Sequence, residues 1–262
     1  MQSTLCNNMK PNLEKVEISR EHIELDSGKM GDLVKYDVKD YGTVDYVENI
    51  EVGNGQFRRD RAMLPFNYLD KKASDFNWDV YGVDMSNWKK LANAFIVNFR
   101  EWQQKGKGLY ICSHTKGSGK TLLACCLANE IMEQYDISVK FISIPELLEM
   151  TKKSYSDFAE KGELKSIQNA GLLILDDIGT ETKKEWIDTE LFRLIDSRYS
   201  NNRLTIFTSN LELNQLKLND RIVDRIYSMC IQLNLPEKSI RRMQVNNENS
   251  KFLKRVLSCN AQ

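Results

Sequence analysis

The hexapeptide Lys116-Gly117-Ser118-Gly119-Lys120-Thr121 decides how this chain is read. Before it, Leu109 to Cys112 is a short apolar run of the kind that forms a buried strand; after it, Leu122 to Met132 carries apolar side chains at helical period. Strand, glycine-bearing turn and helix in that order are the setting in which a loop wraps an anion. Glycines let successive amides turn inward, and the helix N-terminus adds its positive dipole end. In that reading Lys120 holds the β and γ phosphates of a nucleotide, Thr121 ligates Mg²⁺, and His114, Thr115, Lys116, Gly117, Ser118 and Gly119 complete the cradle. The pattern G-x-x-x-x-G-K-[ST] asks for glycine where this chain has His114, so the upstream half of the loop must be built differently. A glycine-rich turn that binds nothing is the competing reading.

A second stretch bears on that choice. Leu172-Leu173-Ile174-Leu175-Asp176-Asp177 is a continuous apolar run ending in paired carboxylates. Such runs form strands buried on both faces, and a carboxylate at the C-terminal end of one lies on the ligand edge of a parallel sheet. There Asp176 can hold the Mg²⁺ shell and Asp177 can orient the attacking water. Taken alone, the pair also suits an ordinary turn before Gly179.

Strands and helices alternate through the region: Val139 to Ile144, Leu172 to Leu175, Leu204 to Thr208 and Cys230 to Leu235 read as further strands, with helical patterns between them. The expectation is an α/β fold with a five-stranded, mostly parallel sheet flanked by helices. One helix is expected from a Ser86 cap to about Gly106. In one branch of such folds the fourth of these strands inserts between the lysine strand and the acidic strand and presents a polar sensor. Thr208-Ser209-Asn210 supplies it, with Asn210 the choice because an amide can bond both water and phosphate. A turn-forming asparagine is the alternative. Arg221 and Arg225 share one helix face, as a salt-bridged surface or as an arginine finger, Arg225, for a neighbouring subunit's γ-phosphate. Arg241, in Ser239-Ile240-Arg241-Arg242, either sits over the nucleotide of its own subunit or solvates a C-terminal helix.

Composition narrows the class. Lys+Arg and Asp+Glu are equal at 37 each in 262 residues, which removes the strong positive bias of a dedicated nucleic-acid binder. The six cysteines form no CxxC pair and there are two histidines, which is not the ligand set of a zinc site. The N-terminus is polar and of mixed charge, and no apolar run approaches the roughly 20 residues needed to span a bilayer. A reduced, cytoplasmic protein without membrane contact is expected. Residues 1–60 are charge-dense and apolar-poor, with turn chemistry at Asp26 to Gly31 and Gly53 to Gly55. They are expected to be a small partner-binding region ahead of an ATPase domain over residues 61–262.

Together, KGSGKT, LLILDDIG, TSN, DRIVDRI and SIRR, in this order and spacing, resemble the DnaC/DnaI-type helicase loaders and the related IstB-type transposition ATPases, over about residues 60–257. Leu64-Pro65-Phe66-Asn67-Tyr68, followed by Phe76, looks like the family's lead-in to the ATPase domain. The resemblance implies an AAA+ P-loop NTPase that binds ATP with Mg²⁺, forms homo-oligomers, contacts single-stranded DNA and delivers a replicative helicase. By matching position, Lys120 and Thr121 belong to the phosphate loop, Asp176 and Asp177 to the acidic strand, Asn210 to the first sensor, Arg225 to the finger and Arg241 to the second sensor. Asp177 stands where many AAA+ proteins, though not typically these loaders, place glutamate, and the shorter carboxylate implies slow hydrolysis; the activity is also expected to be partner-stimulated. The N-terminal segment lacks the cysteine cluster of some loaders, so the resemblance does not carry over its partner.

Overall fold

The structure is a computed structural model that describes residues 15–24, 30–39, 42–48, 55–180 and 184–242, with isolated positions 245, 249, 250, 252 and 255 beyond them. It divides into two compact units, Met1–Phe57 and Arg58–Gln262.

The first unit is an antiparallel sheet of β1 (Lys15–Glu24), β2 (Met30–Val38) and β3 (Gly42–Glu48), in that order. Its core is Val34, Tyr36 and Val38, with half-buried Val44 against them. These strands are absent from the sequence reading, which finds turn chemistry at Asp26 to Gly31 and Gly53 to Gly55 and no element with a buried face. The reason is physical: Val34-Lys35-Tyr36-Asp37-Val38 needs only alternate apolar residues to bury one face, so a strand pattern hides inside a charge-rich composition. Of the expected turns, Gly31 lies within β2, while residues 26–29, 53 and 54 are outside the described residues.

Helix α1 (Gly55–Arg61) leads into the second unit. There follow α2 (Ser86–Val97), α3 (Phe99–Lys105), β4 (Gly108–Cys112), α4 (Lys120–Gln134), β5 (Val139–Ser143), α5 (Ile144–Lys153), α6 (Phe158–Asn169), β6 (Leu172–Ile178), α7 (Glu185–Ser200), β7 (Leu204–Ser209), α8 (Asp220–Met229) and β8 (Cys230–Asn234). The five strands pair in the order β5-β6-β7-β4-β8, every pair parallel. Strand β7 therefore lies between β4 and β6, as the sequence reading required. Successive residues of the central strands supply opposite faces. Leu109, Ile111, Ile174 and Ile206 pack with Phe95, Leu123 and Leu127, whereas Tyr110, Leu175 and Phe207 pack with Leu191, Ile222 and Ile226.

The helix expected from Ser86 to Gly106 is two helices broken at Asn98. Periodicity cannot see this break because the apolar face runs across it: Phe95 meets Phe99 and Trp102 edge-on at 5.8 and 5.0 Å. Ser86 is the first helical residue rather than the cap. The capping acceptor is Asp84, whose Oδ1 takes both the Ser86 amide, at 2.9 Å, and the Ser86 hydroxyl.

Arg198, on α7, is the largest fully buried side chain described. Its guanidinium donates to Thr205 Oγ1 at 2.9 Å, to the Ala170, Gln168 and Ile167 carbonyls at 2.8, 3.1 and 3.4 Å, and to the Leu204 carbonyl. Burial lowers its pKa to about 9, which leaves it cationic at neutral pH. One side chain thus ties α7 to the chain before β6 and to the start of β7. Arg198→Met keeps the aliphatic packing but strands those buried carbonyls, and is expected to cost roughly 3 kcal/mol or more in urea unfolding.

Candidate nucleotide site

The parallel sheet sets the site by placing the C-terminal ends of β4, β6 and β7 on one edge. The loop after β4 turns into α4 at Lys120. Among residues 113–121 only Gly117 and Gly119 take positive φ, 77° and 100°. A Cβ at Gly119 would lie 3.0 Å from Ile240 Cδ1 and 3.1 Å from Phe76 Cε2, and one at Gly117 would lie 2.9 Å from Ser239 Oγ. These are the positions where the loop needs glycine. His114 has no such need, which is the physical reason the missing upstream glycine is tolerated. Glu237 Oε1 accepts from the His114 amide at 2.8 Å and from the Ser113 hydroxyl at 3.2 Å. On the downstream side the Tyr81 hydroxyl donates to the Ser118 carbonyl at 2.6 Å, and burial raises its pKa.

The Lys120 ammonium is buried, donating to the Ser113 and Thr115 carbonyls at 3.1 and 3.2 Å and to Ser118 Oγ at 3.3 Å. Burial lowers its pKa, while the Asp177, Glu237 and Asp176 carboxylates pull it back up. Next to it, Asp176 Oδ1 accepts from the Thr121 hydroxyl at 2.9 Å and from the Thr208 hydroxyl at 2.6 Å. The same Thr208 oxygen accepts the Asp177 amide at 2.9 Å. Asp177 has φ of 59° in a register shift between β6 and β7, a left-handed conformation that aspartate tolerates better than most residues. Its carboxylate accepts from Asn210 Nδ2 at 3.3 Å.

A cleft of about 380 Å³ joins these groups: Lys116 to Thr121, Asp177 and Asn210 line it, together with Arg241, Ile240, Thr180 and the lead-in residues Asn67 and Tyr68. Asn129 on α4 fixes that lead-in by donating to the Tyr68 and Lys71 carbonyls, both at 2.8 Å. Two positive-φ glycines, a helix N-terminus, a lysine and a buried carboxylate flanked by two hydroxyls fit a nucleoside polyphosphate and a hard cation: Thr121 and Asp176 are the oxygen donors suited to Mg²⁺.

Comparison with known proteins agrees. The family described as IstB-like ATP binding protein matches residues 39–248. The chain belongs to that family. Among curated relatives, the replicative helicase loader DnaI of Bacillus subtilis is 32% identical over 141 residues, 52% of this chain and 44% of that protein. The replicative helicase loader DnaC of Escherichia coli is 29% identical over 121 residues, 45% of this chain and 49% of that protein. The chain thus matches about half the length of these relatives. Of solved structures, that of DnaI aligns with TM-score 0.58 and 28% identity over 66% of this chain and 95% of that one. AMPPCP-bound DnaA from Aquifex aeolicus aligns with TM-score 0.55 and 19% identity over 72% and 56% of the two chains, a likeness of fold alone. The second unit has the AAA+ fold.

Within this IstB-like domain the expected residues separate into two groups. Thr115 is half-buried beside Ser113 Oγ, to which its amide donates at 3.3 Å, and His114 is exposed at the loop's upstream edge. Arg241 reaches the cleft, and its amide donates to the Gly117 carbonyl at 3.1 Å. Arg225 does not line it: its Nε donates to Asp196 Oδ1 at 2.9 Å and its guanidinium lies 4.6 Å from the Tyr199 ring centroid. Sequence reading missed Thr208 as the bridge between the two aspartates, and missed Tyr81 and Glu237. Thr208 carries a signal, being the hydroxyl that ends a buried strand beside the acidic one. The other two carry none, since they lie far from the loop in sequence.

Burial raises the Asp176 pKa despite the Thr208 and Thr121 hydrogen bonds. The folded chain therefore binds this proton more tightly than the unfolded chain does. The group favours folding below its ordinary value of 3.8, and that contribution is lost as pH rises through the folded value. Asp176→Asn is expected to raise the melting temperature of the nucleotide-free protein at pH 7 by about 2–4 °C, with the gain shrinking towards pH 4.

Proposed function

We propose that this protein is an ATPase that loads a replicative helicase onto single-stranded DNA. The observation that carries the proposal is the cleft lined by Lys120, Thr121, Asp177, Asn210 and Arg241, with Asp176 bonded to Thr121 and Thr208, Thr208 to Asp177, and Asp177 to Asn210. Water attacks the γ-phosphorus while the bond to the β-phosphate oxygen breaks, giving ADP and phosphate. Asp177 orients that water and takes its proton, with Asn210 holding the carboxylate in place. Lys120 and Arg241 neutralise charge on the phosphates. Thr121 and Asp176 would hold Mg²⁺, which would supply further charge neutralisation at the phosphates. Arg225 acts on the cleft of a neighbouring copy, which makes the homo-oligomer the hydrolytic form and hydrolysis slow until partners assemble it.

The role in replication rests on similarity to the loaders. Residues 1–60, where acidic side chains outnumber basic ones, grip the helicase in the cytoplasm. Single-stranded DNA passes the tip between α5 and α6. There Tyr155 and Phe158 are 73% and 89% exposed, and Lys152 lies 5.0 Å from the Trp186 ring centroid. A transposition ATPase is the second reading, favoured by the IstB-like family description. Co-purification separates the two: a hexameric helicase partner supports the first, a transposase the second.

Lys120→Ala is expected to weaken ATP binding at least tenfold in a fluorescent-nucleotide titration, and unchanged binding would remove the site assignment. Arg225→Ala is expected to leave ATP binding intact and cut DNA-stimulated turnover by ~10³-fold. An effect below a few-fold would remove Arg225 as the finger.

A further inference from the structure

Beside the nucleotide site runs a segment in which the motifs assign a role to Arg241 but none to Glu237. From Leu235 to Arg241 the chain lies along the phosphate loop and bonds to it repeatedly. The Leu235 amide donates to the Cys112 carbonyl at 2.8 Å, the Ser113 hydroxyl meets the Pro236 carbonyl at 3.4 Å, and the Arg241 amide donates to the Gly117 carbonyl at 3.1 Å. Between these, Glu237 Oε1 receives the His114 amide and the Ser113 hydroxyl. It is the only carboxylate so bonded among the described residues of this segment.

A carboxylate next to a phosphate site is an electrostatic cost, so its position calls for a compensating role. Its charge is spent on donors of the loop itself. Partial burial pushes its pKa up, but hydrogen bonds from the Thr115 side chain, the His114 and Thr115 amides and Ser113 outweigh that and hold it below the usual range. Those groups belong to the half of the loop whose expected glycine is His114. The amides there are committed to Glu237 and Ser113, which leaves the amides from Lys116 onward to face a phosphate. Four residues beyond Glu237, Arg241 lines the same cleft.

We propose that Glu237 is a positioning residue for the nucleotide site: its carboxylate oxygen shapes the upstream half of the phosphate loop and locks that loop to the segment that carries Arg241. The inference rests on the cleft being an ATP site. It adds that loop and arginine are one unit, so that the loop's hold on the phosphates depends on a side chain outside the loop. Glutamine keeps the accepting oxygen and loses the charge, whereas alanine loses both.

The test measures ATP affinity by fluorescent-nucleotide titration and melting temperature for the full chain and for Glu237→Ala, Glu237→Gln, Arg241→Ala and the Glu237→Ala/Arg241→Ala double variant. Glu237→Ala is expected to weaken ATP binding about tenfold with its melting temperature nearly unchanged, and Glu237→Gln to stay within about threefold of the parent. The double variant is expected to bind only about as weakly as the worse single one, because the two residues act as a unit. ATP affinity within twofold of the parent in Glu237→Ala, an equal loss in Glu237→Gln, or multiplicative effects in the double variant would each overturn the proposal. If Glu237→Ala merely unfolds the protein, the glutamine variant and the double comparison with Arg241→Ala no longer show rescue and coupling, and the proposal falls. Lys120→Ala is the control: should it also bind ATP normally, the site assignment fails, whereas its loss of binding alongside an unaffected Glu237→Ala removes only the positioning role.

Discussion

Two hydroxyls, one from a helix and one from a strand, converge on one buried oxygen, Asp176 Oδ1, and the site depends on that meeting. Thr121 stands at the start of α4, just after β4, and Thr208 near the end of β7, so the contact exists only because β7 lies between β4 and β6. Thr208 also takes the Asp177 amide and thereby fixes the left-handed turn that aims the second carboxylate at Asn210. A different strand order would scatter these residues while leaving every local motif intact.

The arrangement is held against its own cost. Lys120 and Asp176 are both nearly inaccessible, and burial moves the pKa of each toward its neutral form. Neither would occupy such a position for stability alone, because burying a charge is unfavourable unless other groups compensate. The compensation comes from the loop carbonyls around Lys120 and the hydroxyls around Asp176, and from the two apolar layers that sandwich the sheet. Arg198 does comparable work away from the site, where one guanidinium joins α7 to the flanks of β6 and β7.

The two units show different limits of reading. In the second, long apolar runs and helical periods are strong signals, and the strands and most helices were legible from them. The break at Asn98 was not, because Phe95, Phe99 and Trp102 continue one face across it. In the first unit the buried side chains among the described residues, Val34, Tyr36 and Val38, alternate with charged ones and so do not stand out from the surrounding charges.

By itself, the sequence determined the glycine-bearing loop with its lysine and threonine between a strand and a helix, the acidic strand and the alternation of strands and helices, since each is written in contiguous residues whose chemistry and period are local. Tertiary structure decided what those motifs could not: that His114 needs no positive φ, that Thr208 bridges Asp176 and Asp177, and that Arg241 lies in the cleft while Arg225 turns to Asp196 and Tyr199. It also brought Tyr81 and Glu237 against a loop more than thirty and more than one hundred residues away in the chain. Contacts of that span depend on how strands are ordered in the sheet, and no run of neighbouring residues encodes them.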